Sequence, residues 1–154
     1  MGLADQLADV RADVLHATDR NAVLEAAADL LACRQAGAED LRGSLQAREK
    51  LGSTAIGHGI AIPHGRSPTL EAPRGVLLRL EPAVDFQAGD GQPVDLVFAM
   101  AVPDHYTHQH LMLLSELAER FSDENFRIAL RNAPDAPEMR RLLLEQPHSP
   151  EAAA

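Results

Sequence analysis

The segment PVDLVFAMAVP, residues 93–103, is almost continuously apolar and has a proline at each end. A run of this length and composition is typical of a β-strand that is covered by other elements on both faces. Such a strand needs a packed layer above and below its sheet. The segment therefore predicts a layered α/β fold in which residues 93–103 form a buried strand.

A second strand is predicted over residues 74–86, RGVLLRLEPAVDF, where apolar side chains alternate onto one face. The residues on that face are Val76, Leu78 and Leu80. The connection QAGDGQ between the two strands contains Asp90-Gly91, which is a turn signal. Two strands joined by so short a connection are expected to form an antiparallel pair.

Helical spacing of apolar residues occurs on both sides of these strands in the sequence. The predicted helices cover residues 19–36, 37–52 and 107–121, followed by two shorter ones near 123–132 and 136–145. In the second helix, Arg48 projects from the same stripe as Leu41 and Leu45. In the third, the predicted buried side consists of Leu111, Leu114, Leu117, Ala118 and Phe121. Helices before and after a buried strand predict a single-domain α/β/α sandwich.

Length and charge limit the classes of function. The 154 residues suit one domain, and a net charge of −9 argues against a nucleic-acid partner because phosphate backbones attract basic surfaces. A single cysteine, Cys33, excludes an internal disulfide framework and a cysteine-based zinc site. No apolar segment is long enough to span a bilayer, and the N-terminus lacks a secretory core. We therefore expect a cytoplasmic protein that is not embedded in a membrane.

The segment GSTAIGHGIAIPHGR, residues 52–66, is the best candidate for chemistry. It places His64 between Pro63 and Gly65 after an isoleucine-rich run, which favours a strand end followed by a turn. Neutral imidazole offers a nucleophilic lone pair near pH 7, and Arg48 just upstream is suited to a phosphoryl group. The residues alone therefore support a phosphohistidine site, with a set of unrelated histidines as the open alternative.

The other histidines carry weaker signals. His110 lies in the first turn of a predicted helix, where free N–H groups favour an anion, but a solvent-facing histidine is the more common case there. His105, His108 and His110 could also supply metal ligands, although His108 and His110 would diverge on a helix. The absence of a G-x-S-x-G motif and of a P-loop lysine argues against a serine hydrolase and an NTPase.

The segment REKLGSTAIGHGIAIPHG, residues 48–65, resembles the signature of enzyme IIA domains of the bacterial sugar phosphotransferase system. The closest match is the fructose/mannitol type and, within it, the nitrogen-regulatory group. PVDLVFAMAVP followed by HLMLLSELAERF is similar to a later strand and helix of that family. The resemblance implies an α/β sandwich with a mixed parallel and antiparallel sheet, covering residues 1–147 before a loose C-terminal tail at 148–154.

The resemblance also implies roles for particular residues. His64 matches the phosphorylated histidine, Arg48 the arginine that steadies the phosphoryl group, and His110 a second histidine of the active centre. The phosphoryl group is expected on Nε2, and neither a metal nor a cofactor is implied. Many relatives carry Asn where this chain has His58, so that position departs from the family pattern. His105 and His108 match no motif and receive no role.

The implied activity is that of a phosphotransferase component that accepts a phosphoryl group from HPr or an HPr-like protein. The nitrogen-regulatory role is favoured, with regulatory target proteins as further partners. Two alternatives stay open: transfer onward to a fructose/mannitol-type sugar transporter component, and a non-catalytic regulatory binding module.

Overall fold

The computed structural model describes Leu7 and residues 9–145, and the described residues form six strands and five helices. The strands are β1 (Asp9–Leu15), β2 (Ala55–Gly57), β3 (Ile60–Ala61), β4 (His64–Ser67), β5 (Arg74–Val84) and β6 (Val94–Pro103). The helices are α1 (Arg20–Leu31), α2 (Ala38–Leu51), α3 (His108–Ser122), α4 (Glu124–Asn132) and α5 (Ala136–Leu144). The predicted tail at 148–154 and the domain boundary at 147 lie outside the described residues.

The strands form one mixed sheet in the order β1-β5-β6-β3-β2, with β4 also paired to β6. β5 and β6 are antiparallel, as their short connection predicts, with Leu77 opposite Phe98. β1 is parallel to β5, while β3 and β4 both run parallel to β6. β6 is thus the central strand, and the predicted mixed sheet is confirmed.

The predicted burial of residues 93–103 on both faces is also confirmed. Val97, Ala99 and Ala101 of β6 pack into a core with α1 and α2. Phe98 and Met100 point to the opposite face, into a second core with α3, α4 and α5. Since helices cover both faces of the sheet, the architecture is an α/β/α sandwich.

The first helix ends earlier than its sequence predicts. α1 begins after Asp19, whose carboxylate accepts the N–H of Ala22, and it ends at Leu31 rather than at residue 36. Cys33 and Ala36 instead exchange two backbone hydrogen bonds, of 2.9 and 3.2 Å, which close a tight turn. Cys33 is therefore a half-buried turn residue and does not lie in an apolar helix.

The buried face of α3 differs from the predicted one. Leu117 and Phe121 are buried as expected, but Leu111 is 67% exposed and Leu113 is buried in its place. His110 belongs to the buried face as well, because it precedes Leu113 and Leu117 by three and seven residues. The helix is therefore rotated so that His110 faces the sheet. No helix among residues 9–145 is long and apolar enough to cross a membrane.

Candidate functional site

His64 lies at the start of β4, a strand whose one partner among the described strands is the central strand β6. β3 ends at Ala61, two residues follow, and His64 then pairs with Met100 of the central strand. The backbone amide of Met100 donates to the carbonyl of Pro63 at 2.9 Å, so the link between the two strands is itself bonded to β6. His64 is thereby fixed by the sheet on both sides of its position in the chain.

The predicted turn after His64 is wrong, because Gly65 continues the strand. The reason for glycine at this position is the close approach of α2. A Cβ atom on Gly65 would lie 2.8 Å from Oγ and 3.1 Å from Cβ of Ser44. The glycine therefore allows the strand that begins at His64 to pack directly against the helix that carries Arg48.

Two hydrogen bonds fix the tautomer of the His64 ring. Nδ1 lies 2.9 Å from the carbonyl oxygen of Ile62, which can only accept, so Nδ1 carries the proton. Nε of Arg48 donates to Nε2 of His64 at 3.2 Å, which requires a lone pair on that nitrogen. The neutral ring therefore presents Nε2 as its free electron pair, directed at the Arg48 guanidinium.

Arg48 is itself held by the end of its own helix. Its Nη1 donates to the carbonyl of Gly52 at 2.9 Å, directly after α2. The turn that follows is fixed by Glu49, which is only 4% exposed. The carboxylate of Glu49 accepts the backbone N–H of Thr54 at 2.9 Å and its hydroxyl at 2.6 Å. The guanidinium therefore reaches Nε2 from a preorganised position.

His110 packs against His64 from the other side of the sheet edge. It is the third residue of α3 and is 5% exposed. The two imidazole rings are 5.1 Å apart between centroids and meet edge to face at 83°. Nδ1 of His110 is buried without a hydrogen-bond partner among the described residues.

The surroundings keep both imidazoles neutral. Burial is the main cause that lowers the pKa of His64 below 6.5, and the charges of Arg48 and Arg66 lower it further. The Ile62 carbonyl and the Glu49 carboxylate oppose this shift. Burial also lowers the pKa of His110 to about 4, with contributions from His64 and Arg66. At pH 7 the cleft therefore holds two unprotonated imidazoles beside two arginine cations.

These side chains line an open cleft of about 390 Å³. It is bordered by residues of α2, β4 and α3: Ser44, Ala47, Arg48, Leu51, His64, Gly65, Arg66, His110, Leu111 and Leu114. The three predicted site residues, Arg48, His64 and His110, all lie in it. No role for Ser44 or Arg66 is predicted from the sequence. The two-residue step from His64 to Arg66 along a strand is the signal that could have placed Arg66 beside the site.

His58, His105 and His108 lie outside the cleft. His58 is exposed at the tip of the β2–β3 hairpin with a φ of 59°, and its N–H donates to the Asp90 carboxylate. It does not line the cleft, so the second imidazole beside His64 is that of His110. His105 is exposed and packs edge to face on Tyr106, and His108 is exposed at the start of α3. Within residues 9–145 no group of three His, Cys, Asp or Glu side chains is arranged to hold a metal ion.

The chain is similar to known proteins over most of its length. A family model described as "Phosphoenolpyruvate-dependent sugar phosphotransferase system, EIIA 2" matches residues 8–146. A nitrogen regulatory protein of Pseudomonas aeruginosa is 42% identical over 125 residues, which cover 80% of this chain and 81% of that protein. A nitrogen regulatory protein of Klebsiella oxytoca is 39% identical over 142 residues, covering 90% and 86%.

The fold has a solved counterpart. The crystal structure of the nitrogen regulatory protein IIA-Ntr from Neisseria meningitidis aligns with a TM-score of 0.80 and 38% sequence identity. The alignment covers 88% of this chain and 92% of that structure. Apart from Leu7, both cores of the sandwich lie within the part of the chain that the family model matches, as does the cleft between α2, β4 and α3.

Proposed function

Since the chain belongs to the EIIA 2 family of the phosphoenolpyruvate-dependent sugar phosphotransferase system, we propose that it carries a phosphoryl group on His64. The observation that carries this proposal is the state of Nε2. The Ile62 carbonyl holds the proton on Nδ1, and Arg48 lies against the lone pair of Nε2. A neutral imidazole in this state needs no general base before it attacks phosphorus.

The transfer step follows from that tautomer. The lone pair of Nε2 forms a bond to phosphorus while the bond from phosphorus to a nitrogen of the donor histidine breaks. The electron pair of the broken bond returns to the donor imidazole, and the proton on Nδ1 of His64 stays in place. The His64 ring gains positive charge as the bond forms. The hydrogen bond from Nδ1 to the Ile62 carbonyl stabilises that charge.

Arg48 and His110 stabilise the phosphoryl oxygens in this proposal. In the unphosphorylated protein the Arg48 guanidinium donates a hydrogen bond to Nε2 of His64. When phosphorus bonds to Nε2, the guanidinium must turn toward the phosphoryl oxygens, while Nη1 keeps its hydrogen bond to the Gly52 carbonyl. His110 contributes as a neutral donor. Its buried Nδ1 has no acceptor among the described residues, so the proton is expected on Nε2, where it can be donated into the cleft.

We propose an HPr-like phosphoprotein as the donor and nitrogen-related regulation as the role. The two curated relatives named as nitrogen regulatory proteins support that role, as does the likeness to IIA-Ntr. A phosphoryl group adds close to two negative charges beside the exposed apolar rim of Leu51 and Leu111. Target proteins that contact this rim would therefore distinguish the bare protein from the phosphorylated one.

The deciding experiment is incubation of the protein with a phosphorylated HPr-like donor, followed by intact mass measurement under non-acidic conditions. The expected result is a gain of one acid-labile phosphoryl group. His64→Ala is expected to take up none, and the matched control His58→Ala, which changes a histidine of the same segment outside the cleft, is expected to behave like the wild type. A wild type that stays unmodified with several donors would favour the binding-module alternative.

The sugar-transport alternative rests on the family description, which names a sugar phosphotransferase system. It is separated by mixing the phosphorylated protein with the IIB component of a fructose- or mannitol-type transporter. The regulatory role predicts that the phosphoryl group stays on His64 over the time in which a sugar-specific enzyme IIA transfers its phosphoryl group to the IIB component. Rapid and complete transfer to the IIB component would favour sugar transport.

A further inference from the structure

Arg66 connects the strand of His64 to the start of the helix of His110. It is the third residue of β4, two residues after His64. Its Nη1 donates to the carbonyl oxygen of Asp104 at 2.9 Å and to that of Tyr106 at 2.6 Å. Both carbonyls belong to the short connection between β6 and α3. The backbone N–H of Asp104 also donates to the carbonyl of Ser67 in β4 at 3.1 Å, and the Arg66 side chain adds the contact to Tyr106, nearer the start of α3.

Beyond Arg66, the described residues hold the start of α3 by backbone hydrogen bonds and by no side-chain cap. Its N-cap residue, Thr107, makes no side-chain capping hydrogen bond, whereas Asp19, Asp123 and Asp135 cap α1, α4 and α5 in that way. Capping of this kind normally stabilises the first helical turn. Thr107 is also exposed, as are the residues on either side of Tyr106. The Arg66 bonds are therefore the main side-chain contact that fixes the connection.

The other end of Arg66 is held just as firmly. Its backbone N–H donates to Oγ of Ser44 at 2.8 Å, which joins β4 to α2. The backbone of Arg66 pairs with Val102 of the central strand as well. The backbone of Arg66 is thus fixed, so the hydrogen bonds of its guanidinium can hold the connection that precedes α3 in place.

We propose that Arg66 is a positioning residue that holds the first turn of α3, and with it the His110 ring, against His64. This inference rests on the proposed phosphocarrier function. Arg66 acts through His110: it sets the ring contact of 5.1 Å between the two imidazoles and so places the His110 donor for the phosphoryl oxygens.

A direct contact between Arg66 and the phosphoryl group is the competing explanation, since Arg66 also borders the cleft. The two carbonyl bonds favour the positioning role, because both are made by Nη1 and fix the guanidinium on the connection before α3. A double-mutant cycle separates the two explanations. Residues that act through one another give non-additive effects, whereas independent contacts give effects that multiply.

The cycle uses Arg66→Met, His110→Ala and the double variant, with the rate of phosphoryl uptake from a phosphorylated HPr-like donor as the readout. Arg66→Met keeps an unbranched side chain as far as the position of Nε and removes every side-chain donor. It is expected to slow uptake by roughly 10- to 100-fold, the cost of a displacement of about 1 Å in a reacting group. In the His110→Ala background the same change is expected to slow uptake by less than about 2-fold.

Two controls accompany the cycle. Arg140→Met removes another bond from an arginine to a backbone carbonyl, that of Val10, away from the cleft, and is expected to leave uptake unchanged. Arg66→Lys keeps an ammonium donor for the same carbonyls and is expected to restore part of the rate. Circular dichroism shows whether each variant retains the fold. If Arg66→Met does not fold, Arg66→Lys takes its place in the double-mutant cycle.

A second readout needs no phosphoryl group. Nuclear Overhauser contacts between the His64 and His110 rings are expected in the wild type and in Arg140→Met, and are expected to weaken in Arg66→Met. Unchanged ring contacts, or a loss of rate of the same size in both backgrounds, would overturn the positioning role. If the wild type accepts no phosphoryl group, the proposed function fails, and the ring contacts alone then decide the role of Arg66.

Discussion

Protonation of His110 should make the stability of the protein depend on pH in a window that the structure defines. The ring is 5% exposed, and burial lowers the pKa of His110 to about 4 in the folded protein. In the unfolded chain the same ring returns to its ordinary pKa of 6.5. Between these values the unfolded chain binds more protons than the folded protein, so folding loses stability as the pH falls.

The size of the effect follows from the two pKa values. The contribution of His110 is fully present above pH 6.5 and is lost as the pH falls toward 4. Between pH 7 and pH 5, the proton linkage of one group with these two pKa values amounts to about 2 kcal/mol of unfolding free energy. That is a large fraction of the stability of an ordinary domain, roughly 5–15 kcal/mol.

The assay is urea unfolding of the wild type and of His110→Leu at pH 7 and pH 5. Other groups titrate alike in both proteins, so the difference between their pH dependences isolates the His110 contribution. The wild type is expected to lose about 2 kcal/mol more than the variant between the two pH values. Equal losses in both proteins would refute the reasoning, because His110 would then titrate alike in the folded and unfolded states.

Three further substitutions test contacts that hold the site or the fold. Gly65→Ala forces a Cβ within 2.8 Å of the Ser44 hydroxyl and should cost roughly 1–3 kcal/mol in urea unfolding, whereas an unchanged midpoint would mean that α2 can move away freely. Glu49→Ala leaves the buried amide and hydroxyl of Thr54 without their acceptor and should lower the unfolding free energy by at least about 2 kcal/mol. Glu49→Gln should lower it less, because it keeps one acceptor oxygen. Equal losses in the two variants would contradict this account. Arg79→Met removes the donor to the carbonyls at the end of α4 and should lower stability by about 1–3 kcal/mol, measured by thermal unfolding, while a neutral result would show that water replaces it.

The central features of the fold can be predicted because they leave strong local patterns. The apolar run of β6 indicates burial on both faces, and the turn signal before it indicates the antiparallel pairing with β5. Both elements are long enough for a pattern to emerge, with 10 and 11 residues.

The missed strands are short or polar. β2 has three residues, which is too short for alternation to be read. β3 has only two, so the isoleucine-rich run before His64 indicates a strand end but not its pairing with β6. β1, with the sequence DVRADVL, carries three charged residues, and only Val10 in it is fully buried. Its pairing with β5 joins residues 65 positions apart, and such long-range pairing leaves no local signal.

The rotation of α3 has a similar cause. Leu111 and Leu113 are both apolar, and helical spacing accommodates a stripe through either of them. In the structure, His110 contacts His64 and lies on the stripe that contains Leu113. Hydrophobic patterning does not reveal that a histidine belongs to the buried face.

At the site, residue types and their resemblance to a family pattern indicated Arg48, His64 and His110, and the structure places the three around one cleft. The orientation of the His64 ring depends on a backbone carbonyl, that of Ile62, which no side-chain pattern encodes. The Arg66 contacts likewise go to backbone atoms 38 and 40 residues away.

The central claim is that Nε2 of His64 receives the phosphoryl group, and the most direct test is ³¹P–¹⁵N NMR of protein phosphorylated by an HPr-like donor. The predicted result is a one-bond coupling between phosphorus and Nε2 of His64, with Nδ1 still protonated toward the Ile62 carbonyl. Phosphorus bonded to Nδ1 of His64, or to the His110 ring, would contradict the account.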